Sequence, residues 1–402
     1  MPQFEYRVKT ASGRDLTGKL TAADKSTAME DLRKRNVTVF SLKEQNNSIF
    51  SKDIYLGNPV KTIQFIIYCR QFATLIRAGV TIVESTVILA EQTDSKALKK
   101  ALLDIHSSLM RGVPYSQAVL DHRKIFPTMF VSMIRAGEES GNLEGTLERL
   151  AIFFEKQYKT REKVKSALMY PMTVGILAIA SVVYLLWAIV PQFVTMFASM
   201  NATLPVVTRI VLGLSGSIQH QWYIWAMLLV LGIAGYQLMK RDERGAYWID
   251  YAKLKIPVFG KLMQKSAIAQ FTRTFSSLYA SSVPVLQALA IVEGVAGNKV
   301  IEQFIRKAGD SLRQGNPLSE PLKQAWVFPP LVTQMIAIGE ETGALDQMLE
   351  KVADFYEMDV ENTVDRLKSL IEPLLIVFLA GVVGLIVAAI MLPMFSIYNQ
   401  MG

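Results

Sequence analysis

Two short acidic loops have the residue types and spacing most suggestive of a chemical role. The sequence Gly137-Glu138-Glu139-Ser140-Gly141 returns as Gly339-Glu340-Glu341-Thr342-Gly343, so that glycines frame two carboxylates each time. The pattern leaves a divalent-cation site open, but adjacent carboxylates supply too few ligands for one by themselves. The pattern favours docking of a partner protein, or helix capping in which Gly137 and Gly339 end one helix and the carboxylates lie at the N-terminus of the next.

Other catalytic patterns are missing from the sequence. It contains no Gly-x-x-x-x-Gly-Lys-Ser/Thr loop to cradle a triphosphate and no Gly-x-Ser-x-Gly nucleophile elbow. The histidines His106, His122 and His220 lack metal-ligand spacing, and Cys69 has no sequence-level partner that would make it a nucleophile. We therefore expect neither an enzyme nor a cofactor-binding protein.

The acidic loops belong to a long internal repeat. Downstream of the loops, Leu147, Glu148, Ala151, Phe153 and Glu155 match Leu349, Glu350, Ala353, Phe355 and Glu357. Upstream, with a shift of one residue, Arg70 and Phe72 match Arg273 and Phe275. One soluble module and the apolar stretch after it have been duplicated, which is more typical of a scaffold with two similar docking surfaces than of one catalytic cleft.

Each copy is predicted to be an antiparallel helical bundle. Apolar residues recur at three- and four-residue spacing over residues 60–170 and again over 265–372, with breaks that give about six helices in each copy. Residues 1–45 are predicted to form a small α/β unit with strands at Phe4–Lys9, Leu16–Thr21 and Val37–Leu42 and a helix at Ala22–Arg35. A polar linker, residues 46–59, follows this unit. The fold class is therefore mainly α.

Three apolar stretches predict a polytopic membrane protein. Residues 172–190, 222–239 and 374–392 contain no Asp, Glu, Lys, Arg or His, and each is close to the length that a helix needs to cross the hydrocarbon core. The linker 240–264 is basic, whereas the linker 191–221 has one Lys or Arg and no acid. Because cytoplasmic segments carry the excess of Lys and Arg, both bundles and the N-terminus are expected in the cytoplasm, and residues 191–221 and 393–402 outside it. The net charge of +8 needs no nucleic acid to explain it.

The membrane helices carry two further patterns. Pro171 and Pro373 lie where each bundle runs into its apolar stretch, and a proline inside a helix removes a hydrogen bond and bends it. Each proline is interpreted either as a kink in a semi-rigid connection or as a mark of where the membrane helix begins. Ala380, Gly384 and Ala388 recur at four-residue spacing, which allows close helix packing.

The chain resembles the type II secretion F-protein family. The residues that carry the resemblance are Lys163-Val164-Lys165-Ser166-Ala167-Leu168-Met169-Tyr170-Pro171, then Val174, Ala178 and Leu185, and finally Ile189-Val190-Pro191. The second copy is looser, with Glu372 before Pro373 where the family signature has Tyr or Thr. The doubled bundle and the doubled acidic loop also resemble the family, and the likeness covers nearly the whole chain.

This resemblance implies a platform in the inner, cytoplasmic membrane of a type II secretion or type IV pilus machine. Its implied partners are a hexameric assembly ATPase, pilin or pseudopilin subunits, other inner-membrane assembly proteins, the lipid bilayer and further copies of the chain itself. The alternative is a permease or a membrane receptor that uses the same three spans. That alternative predicts ionisable groups along a path through the membrane, and the three apolar stretches lack them.

Overall fold

The computed structural model describes residues 3–9, 15–21, 29, 38–45, 59–193, 206–257 and 259–401. The chain divides into two compact units, residues 1–59 and residues 60–402.

The N-terminal unit contains a three-stranded antiparallel sheet. Its strands are β1 (Gln3–Lys9), β2 (Asp15–Thr21) and β3 (Thr38–Gln45), in the order β2-β1-β3. The pairing of β1 with β3 shifts register between Arg7 and Val8. The helix predicted at Ala22–Arg35 lies outside the described residues, apart from Met29, which is helical.

The first bundle consists of six helices. They are α1 (Thr62–Arg77), α2 (Ile82–Gln92), α3 (Lys96–Met110), α4 (Tyr115–Leu120), α5 (Thr128–Glu139) and α6 (Leu143–Tyr184). Side chains of Thr81, Ser95 and Asn142 each accept a hydrogen bond from the first turn of the helix that follows, as N-cap residues do. The helix of α6 continues as a π-helical segment, Leu185–Ile189, and then to Phe193.

Three helices connect the two bundles. They are α7 (Val206–His220), α8 (Trp222–Arg241) and α9 (Glu243–Lys255). The stretches 191–221 and 240–264, which the sequence suggested were linkers, thus each contain a helix. In α9, Tyr247 and Tyr251 pack against the core of the second bundle, and an Asp250 carboxylate oxygen accepts a hydrogen bond from the backbone N–H of Lys299 at 3.0 Å.

The second bundle repeats the plan of the first. Its helices are α10 (Phe259–Ala280), α11 (Val285–Val295), α12 (Lys299–Arg313), α13 (Ser319–Lys323), α14 (Pro330–Thr342) and α15 (Leu345–Met401). Buried aromatic side chains fill both bundles, including Phe72, Phe126 and Phe130 in the first and Phe271 and Phe275 in the second. One continuous hydrophobic cluster extends through the two bundles, so they form a single body.

A cluster of ion pairs around one arginine is repeated with the fold. Arg70 of α1 bonds Glu148 at 2.8 Å and Glu155 at 2.6 Å on α6. Its counterpart, Arg273 of α10, bonds Glu357 on α15 at 2.7 Å and also bonds Asp354. Each arginine thereby fastens the first helix of its bundle to the long sixth helix.

Three helices are long and apolar enough to cross a membrane: Leu143–Phe193, Trp222–Arg241 and Leu345–Leu392. The first and the third are continuous with the last helix of a bundle, and none of the described residues of α8 is buried. The predicted fold class, mainly α with two homologous six-helix bundles and three apolar spans, is confirmed.

Candidate functional site

Each acidic loop lies at the junction of the fifth and sixth helices of its bundle. The backbone turns at the second glycine of the motif, Gly141 with φ of 69° and Gly343 with φ of 72°. This left-handed conformation ends a helix and strongly favours glycine. The prediction that Gly137 and Gly339 end their helices is therefore wrong.

Gly137 and Gly339 instead allow two helices to approach each other closely. A Cβ atom on Gly137 would lie 2.7 Å from Oγ1 of Thr146, and one on Gly339 would lie 2.8 Å from Cα of Leu345. Both glycines are buried inside α5 and α14. Any larger side chain would push the fifth helix away from the sixth.

The first glutamate of each loop caps a helix within its own bundle. The carboxylate of Glu138 accepts hydrogen bonds from the backbone N–H groups of Tyr115 at 2.7 Å and Ser116 at 3.1 Å. These donors begin the short helix α4, whose first N–H groups have no partner within the helix. The negative charge also interacts favourably with the positive end of the helix dipole.

The second copy makes the same cap. Glu340 accepts from the backbone N–H groups of Leu318 at 2.6 Å and Ser319 at 3.0 Å, at the start of α13. The carboxylates were expected at the N-terminus of the helix that follows the loop. The structure places them instead at the short fourth helix, which precedes the loop by about 20 residues in sequence. Capping, which the sequence left open, is therefore the role of the first glutamate in both copies.

The second glutamate of each loop points away from the bundle. Glu139 and Glu341 are exposed, and within the part of the chain that the structure describes neither carboxylate has a hydrogen-bond or ion-pair partner. They remain available to a partner protein. Beside Glu139 lies an open groove of about 600 Å³, lined by residues that include Ile82, Gln117 and Arg135.

The two loops differ in their surroundings. Arg135 is exposed beside the first loop, whereas Ala337 occupies the matching position in the second. Asn142 caps α6 by accepting a hydrogen bond from the backbone N–H of Gly145 at 3.1 Å, and its counterpart is Ala344. Among the described residues, no three His, Cys, Asp or Glu side chains gather in a way that could hold a metal ion.

Pro171 and Pro373 both lie inside unbroken helices. Pro171 is within α6, and Pro373 is within α15. Neither proline therefore marks the beginning of a separate membrane helix. A bend at these positions stays a prediction.

The stripe of small residues on α15 does not face the other helices in the part of the chain that the structure describes. Ala380 and Gly384 are exposed and Ala388 is half-buried, and a Cβ atom on Gly384 would meet nothing within 4 Å. The residues of α15 that pack at this level are Ile386 and Ala389, against Leu186, Val190 and Val211. A packing role for the stripe stays a prediction.

Helix α7 supplies polar groups that the sequence did not suggest. In the π-helical segment the backbone N–H of Val190 bonds the carbonyl of Leu185, five residues earlier, so the next residue, Pro191, which has no N–H, leaves the carbonyl of Leu186 without its donor. The Ser215 hydroxyl donates to that carbonyl at 2.5 Å, and the Nε2 amide of Gln219 donates to the neighbouring carbonyl of Trp187 at 2.9 Å.

The same compensation occurs at the repeated proline. Pro393 leaves the carbonyl of Ala389 without its helical donor, and the Thr208 hydroxyl donates to it at 2.8 Å. Thr208, Ser215 and Gln219 lie at spacings of seven and four residues, on one face of α7. Polar residues at that spacing, in an apolar stretch that follows Pro191, could have been recognised in the sequence as a signal of a helix that donates to these carbonyls.

Comparison with known proteins matches almost the whole chain. The family model for type II secretion system protein F matches twice, at residues 68–191 and 271–393, and the model for the N-terminal domain of that protein matches residues 1–43. The first two segments coincide with the internal repeat.

Several relatives are similar over their full length. The chain is 38% identical to a type IV pilus assembly protein PilC of Thermus thermophilus, over 100% of both chains. It is 36% identical to PilC of Myxococcus xanthus, over 98% of this chain and 95% of the relative, and 30% identical to a type II secretion system protein F of Vibrio cholerae, over 100% of both chains. The resemblance noted in the sequence is confirmed: the chain belongs to the type II secretion system protein F family.

Proposed function

We propose that the chain is the inner-membrane platform of a type IV pilus or type II secretion machine. The observation that carries this proposal is architectural. Each of the two bundles runs without interruption into an apolar helix, Leu143–Phe193 in the first copy and Leu345–Leu392 in the second. A displacement of a bundle therefore reaches the membrane through a continuous helix. The names of the relatives, which include pilus assembly and secretion proteins, support the same function.

In this proposal the platform itself catalyses no reaction. Its sequence has no phosphate-binding loop or nucleophile elbow. Energy for assembly then comes from a partner, a hexameric cytoplasmic ATPase. The exposed carboxylates of Glu139 and Glu341 are the docking candidates for that motor. Pilin or pseudopilin subunits and other inner-membrane assembly proteins contact the membrane part, and the platform takes no nucleic acid.

The orientation follows from the charges that flank the spans. The N-terminus and both bundles lie in the cytoplasm, because Lys and Arg concentrate before the first span and after the second. The permease alternative gains no support from the membrane helices, since residues 172–190, 222–239 and 374–392 contain no ionisable side chain to bind or relay a transported charge.

Deleting the gene in its own host tests the platform directly. We expect loss of surface filaments or of secreted substrate, with recovery when the full chain is restored. Filaments and secretion that persist without the chain would refute the proposal. Purified full-length protein should also show no ATPase activity of its own.

Docking of the motor is tested with variants of the full-length protein. Glu139→Lys and Glu341→Lys, singly and together, should reduce capture of the purified assembly ATPase. The matched control is Glu91→Lys, because Glu91 is also exposed and has no hydrogen-bond or ion-pair partner among the described residues, but lies at the end of α2, away from both loops. Unchanged capture in all three loop variants would end the docking role for Glu139 and Glu341.

A further inference from the structure

Helix α7 joins the two apolar helices that continue from the bundles. The amide of Gln219 donates to the carbonyl of Trp187 on the first of them. The hydroxyl of Thr208 donates to the carbonyl of Ala389 on the second. Trp187 and Ala389 are matching positions of the internal repeat, each four residues before the repeated proline. Because its two ends bond to two different helices, α7 crosses these helices instead of continuing along either one.

The bonded carbonyls lie inside the apolar stretches, near the ends that are farther from the bundles. Trp187 is three residues before the end of the stretch 172–190, and Ala389 is three residues before the end of the stretch 374–392. At 1.5 Å per residue, three residues correspond to a depth of about 4.5 Å inside each stretch. Helix α7 therefore packs at the edge of the hydrocarbon core, in the leaflet opposite the bundles.

The side-chain donors of α7 support this depth. Thr208 and Ser215 are 2% and 3% exposed, and their hydroxyls reach backbone carbonyls that a proline has left without a donor. A free carbonyl in contact with water would bond to water and would need no donor from the protein. In hydrocarbon an unpaired carbonyl is strongly unfavourable, so a nearby side chain has to supply the hydrogen bond.

The face of α7 that is turned away from these contacts is apolar and exposed. Val206, Ile210 and Leu214 recur at four-residue spacing and are 63%, 57% and 47% exposed. Trp187, on the neighbouring apolar helix at the same depth, is exposed as well. The apolar surface of α7 therefore continues the surface that the spanning helix presents to the acyl chains.

One cation lies on the exposed side of α7. Arg209 is the single Lys or Arg in residues 191–221. Its side chain is exposed, and within the described ranges of the chain it has no hydrogen-bond or ion-pair partner. An arginine at the edge of the hydrocarbon core extends its aliphatic stem along the apolar region and keeps its charged end among the headgroups. There the guanidinium can donate two parallel hydrogen bonds to a phosphate.

Aromatic side chains lie at the same level, where α8 begins. Trp222, Tyr223 and Trp225 are exposed in the first turn of α8. The Nε1 group of Trp225 donates to the hydroxyl of Ser217 on α7 at 3.2 Å. Because Trp and Tyr concentrate where hydrocarbon meets headgroups, the C-terminal end of α7 lies at that boundary.

We propose that α7 lies within one leaflet of the membrane, without spanning it, and binds phospholipid there. Acyl chains contact Val206, Ile210 and Leu214, and a lipid phosphate accepts hydrogen bonds from Arg209. Helices that lie in the interface typically have one apolar face in the acyl region and basic residues near the headgroups. Residues 206–220 then belong to the membrane and not to an extracytoplasmic linker. The lipid contact is independent of the platform function, because it rests on the depth at which α7 packs.

Fluorescence quenching in proteoliposomes tests the lipid contact. The full-length protein carries the fluorophore NBD on Val206→Cys, Ile210→Cys or Leu214→Cys. All variants have a Cys69→Ala background, and the vesicles contain phosphatidylcholine and phosphatidylglycerol. We expect quenching by lipids brominated on the acyl chains and little quenching by iodide added on both sides of the membrane. The control is Gln314→Cys, exposed in the second bundle, where iodide should quench and brominated lipid should not.

Two results would overturn the lipid contact. Quenching of the three α7 positions by iodide as strongly as the Gln314→Cys control would place α7 in water. Protection of the three positions from both quenchers would show that protein, and not lipid, covers the exposed face of α7.

The phosphate contact is tested by the depth of α7. In the Ile210→Cys protein, quenching by lipids brominated near the headgroup is compared with quenching by lipids brominated near the chain end. Arg209→Met removes the cation but keeps an apolar stem, so the quenching should shift towards the lipids brominated near the chain end. Arg209→Lys keeps a cation and should retain the original ratio. An unchanged ratio in Arg209→Met, or an equal shift in both variants, would refute the contact between Arg209 and phosphate.

Discussion

Substitutions at the two adjacent glutamates of each loop should have different effects. One should lower the stability of the protein, and the other should weaken docking of the partner. Glu138 accepts two backbone hydrogen bonds at the start of α4, whereas Glu139, the next residue, has no partner among the described residues. Glu138→Gln keeps the size of the side chain but removes its charge and turns an amide donor toward one of the two N–H groups. Glu139→Gln makes the same chemical change on a free side chain and is the matched control.

The expected loss follows from the geometry of the cap. A hydrogen bond to a charged group contributes about 1.5–3 kcal/mol, and the low end applies because Glu138 is half-buried. For a domain of 150–250 residues, 1 kcal/mol shifts the melting temperature by about 2–4 °C, so Glu138→Gln should lower it by about 3–6 °C. Glu139→Gln should stay within about 0.5 kcal/mol of the natural protein, as surface substitutions do.

The assay is thermal unfolding of the full-length protein in detergent, followed by circular dichroism, with capture of the assembly ATPase measured on the same samples. Glu340→Gln and Glu341→Gln repeat the comparison in the second bundle, where Glu340 makes the same two bonds. The first member of each pair should change the melting temperature, and the second should change only capture. Equal destabilisation by both members of a pair, or a larger effect from the second, would refute the assignment of roles.

Four further outcomes are expected. Thr208→Val and Ser215→Ala should each lower the melting temperature in detergent, by an amount that corresponds to about 0.6 kcal/mol per lost bond; no change in either variant would show that the freed carbonyls need no donor. Ser282 has a φ of 62°, a left-handed backbone conformation that is strained for serine, at the position that matches Gly79. Ser282→Gly should therefore raise the free energy of unfolding by up to about 1 kcal/mol in chemical denaturation, and a decrease would show that the backbone at this position is not strained. Partial burial alone would raise the pKa of Asp354, but hydrogen bonds from Arg273 and Lys156 outweigh it and hold the pKa below its usual value. The stability advantage over Asp354→Asn should therefore be present at neutral pH and shrink as the pH falls below about 4, the pKa of an unfolded Asp, and an advantage that is constant down to pH 2 would contradict this. In a Cys69→Ala background, an impermeant maleimide on whole cells should label Gln221→Cys but not Gln314→Cys, and the reverse pattern would overturn the topology.

Features with a repeating signal could be predicted from the sequence. The duplication, the helical periodicity and the charge-free stretches depend on residue type and spacing alone, and they led to the two bundles and the three apolar helices. The family signature around Pro171 added the family to which the chain belongs. The strands of the N-terminal unit also followed from local patterns, to within a few residues at each end.

Features that depend on contacts between distant segments could not be predicted in the same way. The sequence left partner docking and helix capping open for the acidic loops, and it placed the cap on the helix that follows. The true donors at Tyr115 and Ser116 come from a turn that only the packing of the bundle brings close. The helix inside residues 191–221 was not predicted. Its polar residues Thr208 and Ser215 donate hydrogen bonds to backbone carbonyls of two other helices, and these contacts are not visible in the sequence.

The continuity of the sixth helix in each bundle has a mechanical consequence. From Leu143 to Pro171 the helix extends about 40 Å at 1.5 Å per residue, without a loop that could absorb strain. The predicted point of bending is the proline, because one backbone hydrogen bond is absent there. If the proposed motor docks at the acidic loop, its load passes to the membrane segment through this helix, and the ion pair between Lys156 and Asp354 links the two long helices. On the proposed function, we expect the two long helices to act as linked stiff rods, with Pro171 and Pro373 as their predicted points of bending.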